Sequence, residues 1–235
     1  LLRAGAIGEV YNAVFHSVRG GNQLFITPWR HLKNRGGPLV DLGVHFTDMI
    51  RYQLGDIAEV DGDVRLIEKV RKKPKAESMP YEFYRKRHLG FDEEFPADAE
   101  DMSTALFKME SGALVNWTVG VGGLRSWSQQ SILGTDGSFN GFGTRGGRVE
   151  LHRTGGRVLT QEQLLVEAGL ELDSLADHLF PTRVTAGDEE VDWKILAWEY
   201  HELGNAILNN KPVEVDGVEG MKDVAAIYAI FESFR

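Results

Sequence analysis

The sequence predicts an α+β domain built on an open, largely antiparallel β-sheet with helices packed on one face. Three observations predict it. Short alternating segments recur between residues 57 and 152, turn residues separate them, and helical periodicity is confined to one segment before them and two at the end. Strands grouped in this way belong to antiparallel sheets with segregated helices, not to strictly alternating βαβ units.

Taken in order, residues 7–16 (IGEVYNAVFH) alternate well enough for a strand introduced by Gly5 and Gly8. Residues 20–33 read as a loop with two bulky members, Trp29 and Arg30. Pro38 suits the first turn of a helix, where its missing N–H costs nothing. That helix should run to about Leu54, with Gly55 as its stop. Its apolar residues Leu39, Leu42, Phe46, Met49 and Ile50 share one side. Residues 57–70 read as a strand. Residues 71–98 are polar, contain Pro74, Pro80 and Pro96, and read as a long excursion of the kind that is often functional. Residues 103–109 and 113–119 pair as a hairpin around Glu110-Ser111-Gly112. Residues 127–133 and 138–142 continue the pattern around Thr135-Asp136-Gly137, and residues 148–152 add a short strand before Thr154-Gly155-Gly156. Residues 193–209 carry Ile195, Leu196, Tyr200, Leu203, Ile207 and Leu208 at helical spacing, ended by Pro212. A last helix over residues 218–234 turns Val224, Ile227, Tyr228 and Phe231 inward.

The chain has 235 residues, 42% hydrophobic and 26% charged, which suits one large domain or two small ones. Its net charge of −9 argues against nucleic acid as the main partner. The basic cluster at residues 69–75 (KVRKKPK) reads as a solvated loop. With no cysteine, disulfides, thiolate nucleophiles and cysteine metal sites are excluded. No apolar run approaches the ~20 residues of a membrane span, and no signal peptide is visible. The expected location is cytoplasmic, without a membrane partner. The opening LLRAGAIGEV begins at Leu1 and reads as the start of a piece of a longer protein.

Residues 35–48 (RGGPLVDLGVHFTD) carry most of the functional information. Asp41 and His45 stand at i and i+4, so a carboxylate and an imidazole share one side of a helical turn. Taken alone, such a pair is commonly a surface pair or a capping arrangement. His16, His31, His88, His152 and His178 show no metal spacing, and His201-Glu202 lacks the second helical histidine of a zinc site, so no metal is expected. No Gly-x-Ser-x-Gly elbow supports a serine hydrolase. His201 and Trp198, on the penultimate helix, read as packing residues.

The run GGPLVDLGVHFTDMIRYQLGD resembles the segment that opens the C-terminal domain of the Gfo/Idh/MocA oxidoreductases, the relatives of glucose–fructose oxidoreductase and inositol dehydrogenase. Three further segments agree in order: AGAIGEV at residues 4–10, EDMSTALFKMESGALVNW at residues 100–117, and HELGNAILNNKPVEVDGVEGMKDVAAIYAIFESF at residues 201–234. The likeness is weakest over residues 70–98 and 142–192. It implies that residues 1–235 are a substrate-binding and oligomerisation domain, with an N-terminal dinucleotide-binding domain missing. Nothing here matches that domain's G-x-G-x-x-G turn or its Glu-Lys-Pro segment. The glycines at 134–147 (GTDGSFNGFGTRGG) read as turn chemistry, because no apolar helix follows them.

The resemblance implies an NAD- or NADP-dependent oxidoreductase acting on a sugar, polyol or related cyclic hydroxyl compound. His45 becomes the acid–base, a task to which histidine is suited because the unperturbed imidazole titrates near working pH, and Asp41 orients the substrate or the imidazole. A helix N-terminus disfavours imidazolium while a carboxylate favours it. Gly43 would let substrate or nicotinamide approach the backbone. Trp29 and Arg30 either contact the substrate, Arg30 binding hydroxyls or a carboxylate, or are a packed tryptophan and a solvated arginine. Alternatives are an NAD-dependent hydrolase or lyase with transient redox, or a non-enzymatic sugar sensor. A sheet face left bare by helices, bearing bulky residues such as Trp117 and Trp127, would bury against a second copy, giving a homo-dimer or tetramer.

Overall fold

A computed structural model describes residues 1–79, 81–123, 125–142, 147, 149–169, 171, 174–181 and 190–234, the side chains of residues 78 and 234 excepted. The described elements run β1 (Val10–Val18), α1 (Gly37–Leu54), β2 (Ile57–Arg65), β3 (Val70–Lys72), α2 (Glu82–His88), β4 (Glu94–Pro96), β5 (Met102–Met109), β6 (Leu114–Gly120), β7 (Trp127–Gly134), β8 (Gly137–Asn140), β9 (Glu150–Arg153), β10 (Val158–Thr160), α3 (Gln161–Ala168), α4 (Ser174–Leu179), α5 (Val191–Leu208) and α6 (Gly217–Phe234). Eight strands form one sheet in the order β10-β9-β8-β7-β1-β6-β5-β2, and β3 pairs with β4 in a separate ribbon. The pairs β2–β5, β5–β6, β7–β8, β8–β9 and β9–β10 are antiparallel. The α+β class read from the sequence is the class observed.

The chain divides into two compact units. One comprises Phe15–Glu110, Leu114–Ser128 and Asp223–Arg235. Here β5 alternates strictly: Ser103, Ala105, Phe107 and Met109 are buried, while Thr104, Leu106 and Lys108 are exposed. Period-two alternation puts one set on the core face and the other on the bare face. The buried set meets Trp117 of β6, whose ring lies 5.5 Å from Phe107 and 6.5 Å, edge-on, from Phe46 of α1. Trp117 is therefore a core residue under α1, which corrects its expected place on the bare sheet face; Trp127 is about half exposed. The end of α6 packs on β2, where a Cβ at Gly62 would stand 2.8 Å from Ile230 Cγ2.

Arg51 fixes how α6 is turned. Its Nη1 donates to Asp223 Oδ1 at 2.8 Å, and its Nη2 donates to Asp56 Oδ1 at 2.6 Å. The inner face of α6 is consequently Asp223, Ala226, Ile227 and Ile230. Val224 and Tyr228, expected inward, are exposed, because a helix cannot bury both Asp223 and the stripe through Val224 and Tyr228.

The other unit comprises Leu1–Val14, Ser111–Ala113 and Gln129–Lys222. The turn between β7 and β8 is tied to the chain start: Asp136 N–H donates to the Ile7 carbonyl at 2.9 Å, and Glu9 N–H to Thr135 Oγ1 at 3.1 Å. Gly134 is required there, since a Cβ would lie 2.2 Å from the Ile7 oxygen. Thr160 caps α3 in a reciprocal box with Gln163. Neither β10 nor α3 is among the elements read from the sequence. Residues 143–146 of the glycine run, Arg148 of the strand expected at 148–152, and residues 182–189 lie outside the described residues.

Two expected boundaries move furthest. The first strand starts at Val10 and not at residue 7. The strand expected over residues 57–70 stops at Arg65, and the excursion beyond it contains β3, α2 and β4. Among the described residues no helix is long and apolar enough to cross a membrane.

Candidate active site

Two glycines set the start of α1. Gly36 (φ +99°) and Gly37 (φ +73°) both occupy the left-handed region, and a Cβ on Gly37 would fall 2.8 Å from Ala99 Cβ. Pro38 then opens the helix. Leu39, Phe46 and Ile50 go into the core, which leaves Asp41 half-buried and His45 exposed outside the buried stripe.

Arg30 arrives from a short 3-10 turn, Pro28–His31. Its Nη1 donates to Asp41 Oδ2, and both side chains keep about a fifth of their surface in solvent, 22% and 23%. The guanidinium stacks over Trp29 at 5.2 Å and approaches the Phe25 ring at 5.9 Å. The structure thus brings Trp29, Arg30 and Asp41 together, with His45 one turn further along α1. Asp41 pairs with Arg30 rather than with His45, and among the described residues no hydrogen bond joins Asp41 to His45. The reason is reach: the arginine fork meets a carboxylate directly, whereas an i,i+4 imidazole on a straight helix need not turn back to it.

Gly43 lies on the side of α1 that meets α6. It is buried, and a Cβ there would stand 2.6 Å from Ile227 Cδ1 and 3.4 Å from Leu39 Cδ1. The close approach it permits in this structure is that of Ile227 on α6. Gly43→Ala is expected to destabilise the protein by about 1–3 kcal/mol through overpacking. Urea unfolding reads this, and an unshifted midpoint would show that Ile227 gives way freely.

Several residues of this region escaped the sequence reading. His31 is buried and its Nε2 accepts the Phe25 N–H at 2.9 Å. Burial, then the charges of Arg71 and Arg30, lower its pKa to about 4. His88 is also buried, its Nε2 2.6 Å from the Ile26 carbonyl. Arg71 and Asp101 form a fully buried ion pair. Asp101 also accepts the N–H groups of Ile67 (2.7 Å) and Glu68 (2.9 Å), and Arg71 Nη1 donates to the Val121 carbonyl. Its place is marked only by acidic residues in the segment before β5, a signal too weak to single out Asp101.

The cavity at the start of α1, lined by Leu39, Leu42, Asp101 and Val119 among others, is about 10 Å³, room for a water and no substrate. In the other unit a groove of about 380 Å³ runs along α5 past Trp198, His201, Glu202 and Lys211. The His201 ring bonds to Asn205 at 2.8 Å, so both expected packing residues line a surface groove.

The model of the GFO/IDH/MocA C-terminal domain matches residues 1–140. No curated protein matches the chain. Among solved structures, the chain is similar to an NAD-binding oxidoreductase from Klebsiella pneumoniae, at 21% identity and TM-score 0.69, covering 99% of this chain and 59% of that one. It is similar to levoglucosan dehydrogenase in complex with NADH and L-sorbose, at 20% identity and TM-score 0.66, covering 99% and 59%. An oxidoreductase from Agrobacterium radiobacter, in complex with NAD+, L-tartaric acid and magnesium, matches at 18% identity and TM-score 0.61, covering 99% and 57%. The chain thus spans less than two thirds of the length of these structures.

Proposed function

The chain belongs to the GFO/IDH/MocA family, and from that premise we propose that it is the substrate-binding and oligomerisation domain of an NAD- or NADP-dependent oxidoreductase acting on a sugar, polyol or related cyclic hydroxyl compound. The observation that supports this reading is the cluster of Trp29, Arg30 and Asp41 beside an exposed His45. A polyhydroxy ring offers an apolar C–H face and a rim of hydroxyls. The half-exposed Trp29 suits the face. The Arg30–Asp41 pair places donors and acceptors side by side for the rim.

The residues' roles separate accordingly. Arg30 and Asp41 bind and orient hydroxyls. His45, free of the ion pair, takes the proton of the hydroxyl that is oxidised and returns it in the reverse direction. The dinucleotide supplies the hydride acceptor and, on this reading, is held mainly by a separate N-terminal domain. Incubating the full-length protein with NAD or NADP and a panel of hexoses, hexitols, inositols and levoglucosan is expected to give reduction at 340 nm with at least one compound. Bound cofactor without turnover of any of them would overturn the reading in favour of transient-redox or regulatory chemistry.

The bare face of β5 and β6 presents Thr104, Leu106 and Lys108 across from Thr118, Asn116 and Leu114. On our reading this face buries against a second copy. Sedimentation should show a dimer or tetramer, and a monomer at high concentration would refute it.

A further inference from the structure

Resting on the reading of Arg30 and Asp41 as substrate contacts, we propose that His31 and His88 are positioning residues, their imidazoles clamping the strained turn at Ile26 from both sides and so setting Arg30 against Asp41.

Ile26 has φ +60°, a conformation that β-branched residues rarely adopt and that persists only where the surroundings hold it. The turn is closed tightly, Thr27 N–H donating to the Phe25 carbonyl at 2.7 Å. Two backbone groups of this turn are held by side chains from outside it. Phe25 N–H is received by His31 Nε2 at 2.9 Å, and the Ile26 carbonyl accepts from His88 Nε2 at 2.6 Å. The two bonds require opposite tautomers: His31 must carry its proton on Nδ1, and His88 must carry one on Nε2.

The turn controls Arg30 through two contacts. The Phe25 ring lies 5.9 Å from the Arg30 guanidinium, and the Thr27 carbonyl accepts the Arg30 N–H at 3.2 Å. His31 also anchors the loop to the start of α1. Its carbonyl accepts the N–H groups of Asp98 and Ala99, both at 3.1 Å, and Ala99 abuts Gly37. If the turn relaxes to an ordinary φ, the Phe25 platform and the 3-10 turn both move, and Arg30 no longer meets Asp41.

The clamp requires a neutral His31. Burial and the charges of Arg71 and Arg30 keep it neutral, with a pKa of about 4. The charged groups around it are Arg30 and Lys33 on its own loop, Arg71 on β3, and Asp98 and Glu100 ahead of β5, where Lys33 pairs with Glu100. Its contribution is complete above the unfolded value of about 6.5 and is lost as pH falls through about 4, because protonation turns the acceptor into a second donor facing Phe25 N–H.

The test uses the full-length enzyme, with the compound of the hexose, hexitol, inositol and levoglucosan panel that is oxidised fastest. His31→Leu and His88→Leu are expected to raise KM roughly tenfold, with kcat changed about twofold or less. His31→Gln and His88→Gln, which keep an acceptor and a donor at the Nε2 position, should restore KM to within about threefold. Wild-type affinity should fall as pH drops toward 4, and that of His31→Gln should not. Imidazole ¹⁵N shifts of the wild type should show His31 protonated on Nδ1 alone and His88 protonated on Nε2. Leucine variants that melt earlier but keep the wild-type KM would overturn the proposal, as would the reverse tautomers. If the leucine variants fail to fold, the tautomers and the glutamine pH profile decide. Arg30→Ala separates this inference from the reading beneath it. A raised KM there with unaffected histidine variants overturns the clamp alone, whereas an unchanged KM overturns the site assignment and the clamp with it.

Discussion

Alanine at His45 in the full-length protein is expected to lower kcat by about 10²–10⁴-fold while leaving dinucleotide affinity unchanged. The expectation follows from position. His45 is exposed on α1 beyond the Arg30–Asp41 pair, and in the proposed site it is the imidazole placed to meet the hydroxyl. Oxidation of that hydroxyl needs a proton acceptor, and Asp41 is already engaged by Arg30. His45→Gln should be nearly as inactive as the alanine variant, since an amide can hold the hydroxyl but cannot take its proton. Single-turnover reduction at 340 nm, with cofactor binding followed by fluorescence, separates the two steps. An alanine variant that reduces NAD(P) at the wild-type rate would remove His45 from the chemistry. The proposed roles also predict a division of labour: Arg30→Ala and Asp41→Ala should act mainly on KM and His45→Ala mainly on kcat, since the proposal assigns binding to the first two and proton transfer to the third.

How far the sequence discloses this site depends on the range of the interactions that build it. The start and stop of α1 are local features. Gly36, Gly37 and Pro38 favour a break followed by a helix with Pro in its first turn, and Gly55 (φ +89°) ends it. The i,i+4 spacing of Asp41 and His45 is equally local, but it shows only that the two can meet. Arg30 wins Asp41 from a loop whose path depends on Ile26, His31 and His88, the last of which is 62 residues from its partner Ile26. Nothing in residues 20–33 signals such a brace. Likewise, β2 stops at Arg65 because Asp101, more than thirty residues on, takes the next N–H groups. The core place of Trp117 is local as well: it shares the alternation of Val115 and Val119, all three buried. The same is true of α3, whose Thr160 and Gln163 spell a capping box.

Removing the Asp101 carboxylate should have the largest effect on stability. Asp101→Ala leaves the Arg71 guanidinium fully buried without its counter-charge and strips two backbone N–H groups, those of Ile67 and Glu68, of their acceptor. Breaking a buried pair from one side costs about 3–5 kcal/mol, against a total stability of about 5–15 kcal/mol for a typical domain. A midpoint shift of roughly 6–20 °C follows for a chain of this size. The two partners are not equivalent. Arg71→Met leaves the carboxylate with its two N–H donors, so it should cost less than Asp101→Ala. The double variant Arg71→Met/Asp101→Leu removes both charges and should recover much of the loss, the remainder measuring the orphaned N–H groups. Calorimetry of the four proteins tests the order, and an Arg71→Met variant less stable than Asp101→Ala would contradict it. The consequence reaches the proposed site, because the chain that Asp101 turns at residues 67–68 leads into the segment carrying His88 and the Asp98–Ala99 contacts of His31. A milder change, Asp101→Asn, which keeps an acceptor while discarding the charge, should therefore weaken substrate affinity at temperatures where the protein is still folded.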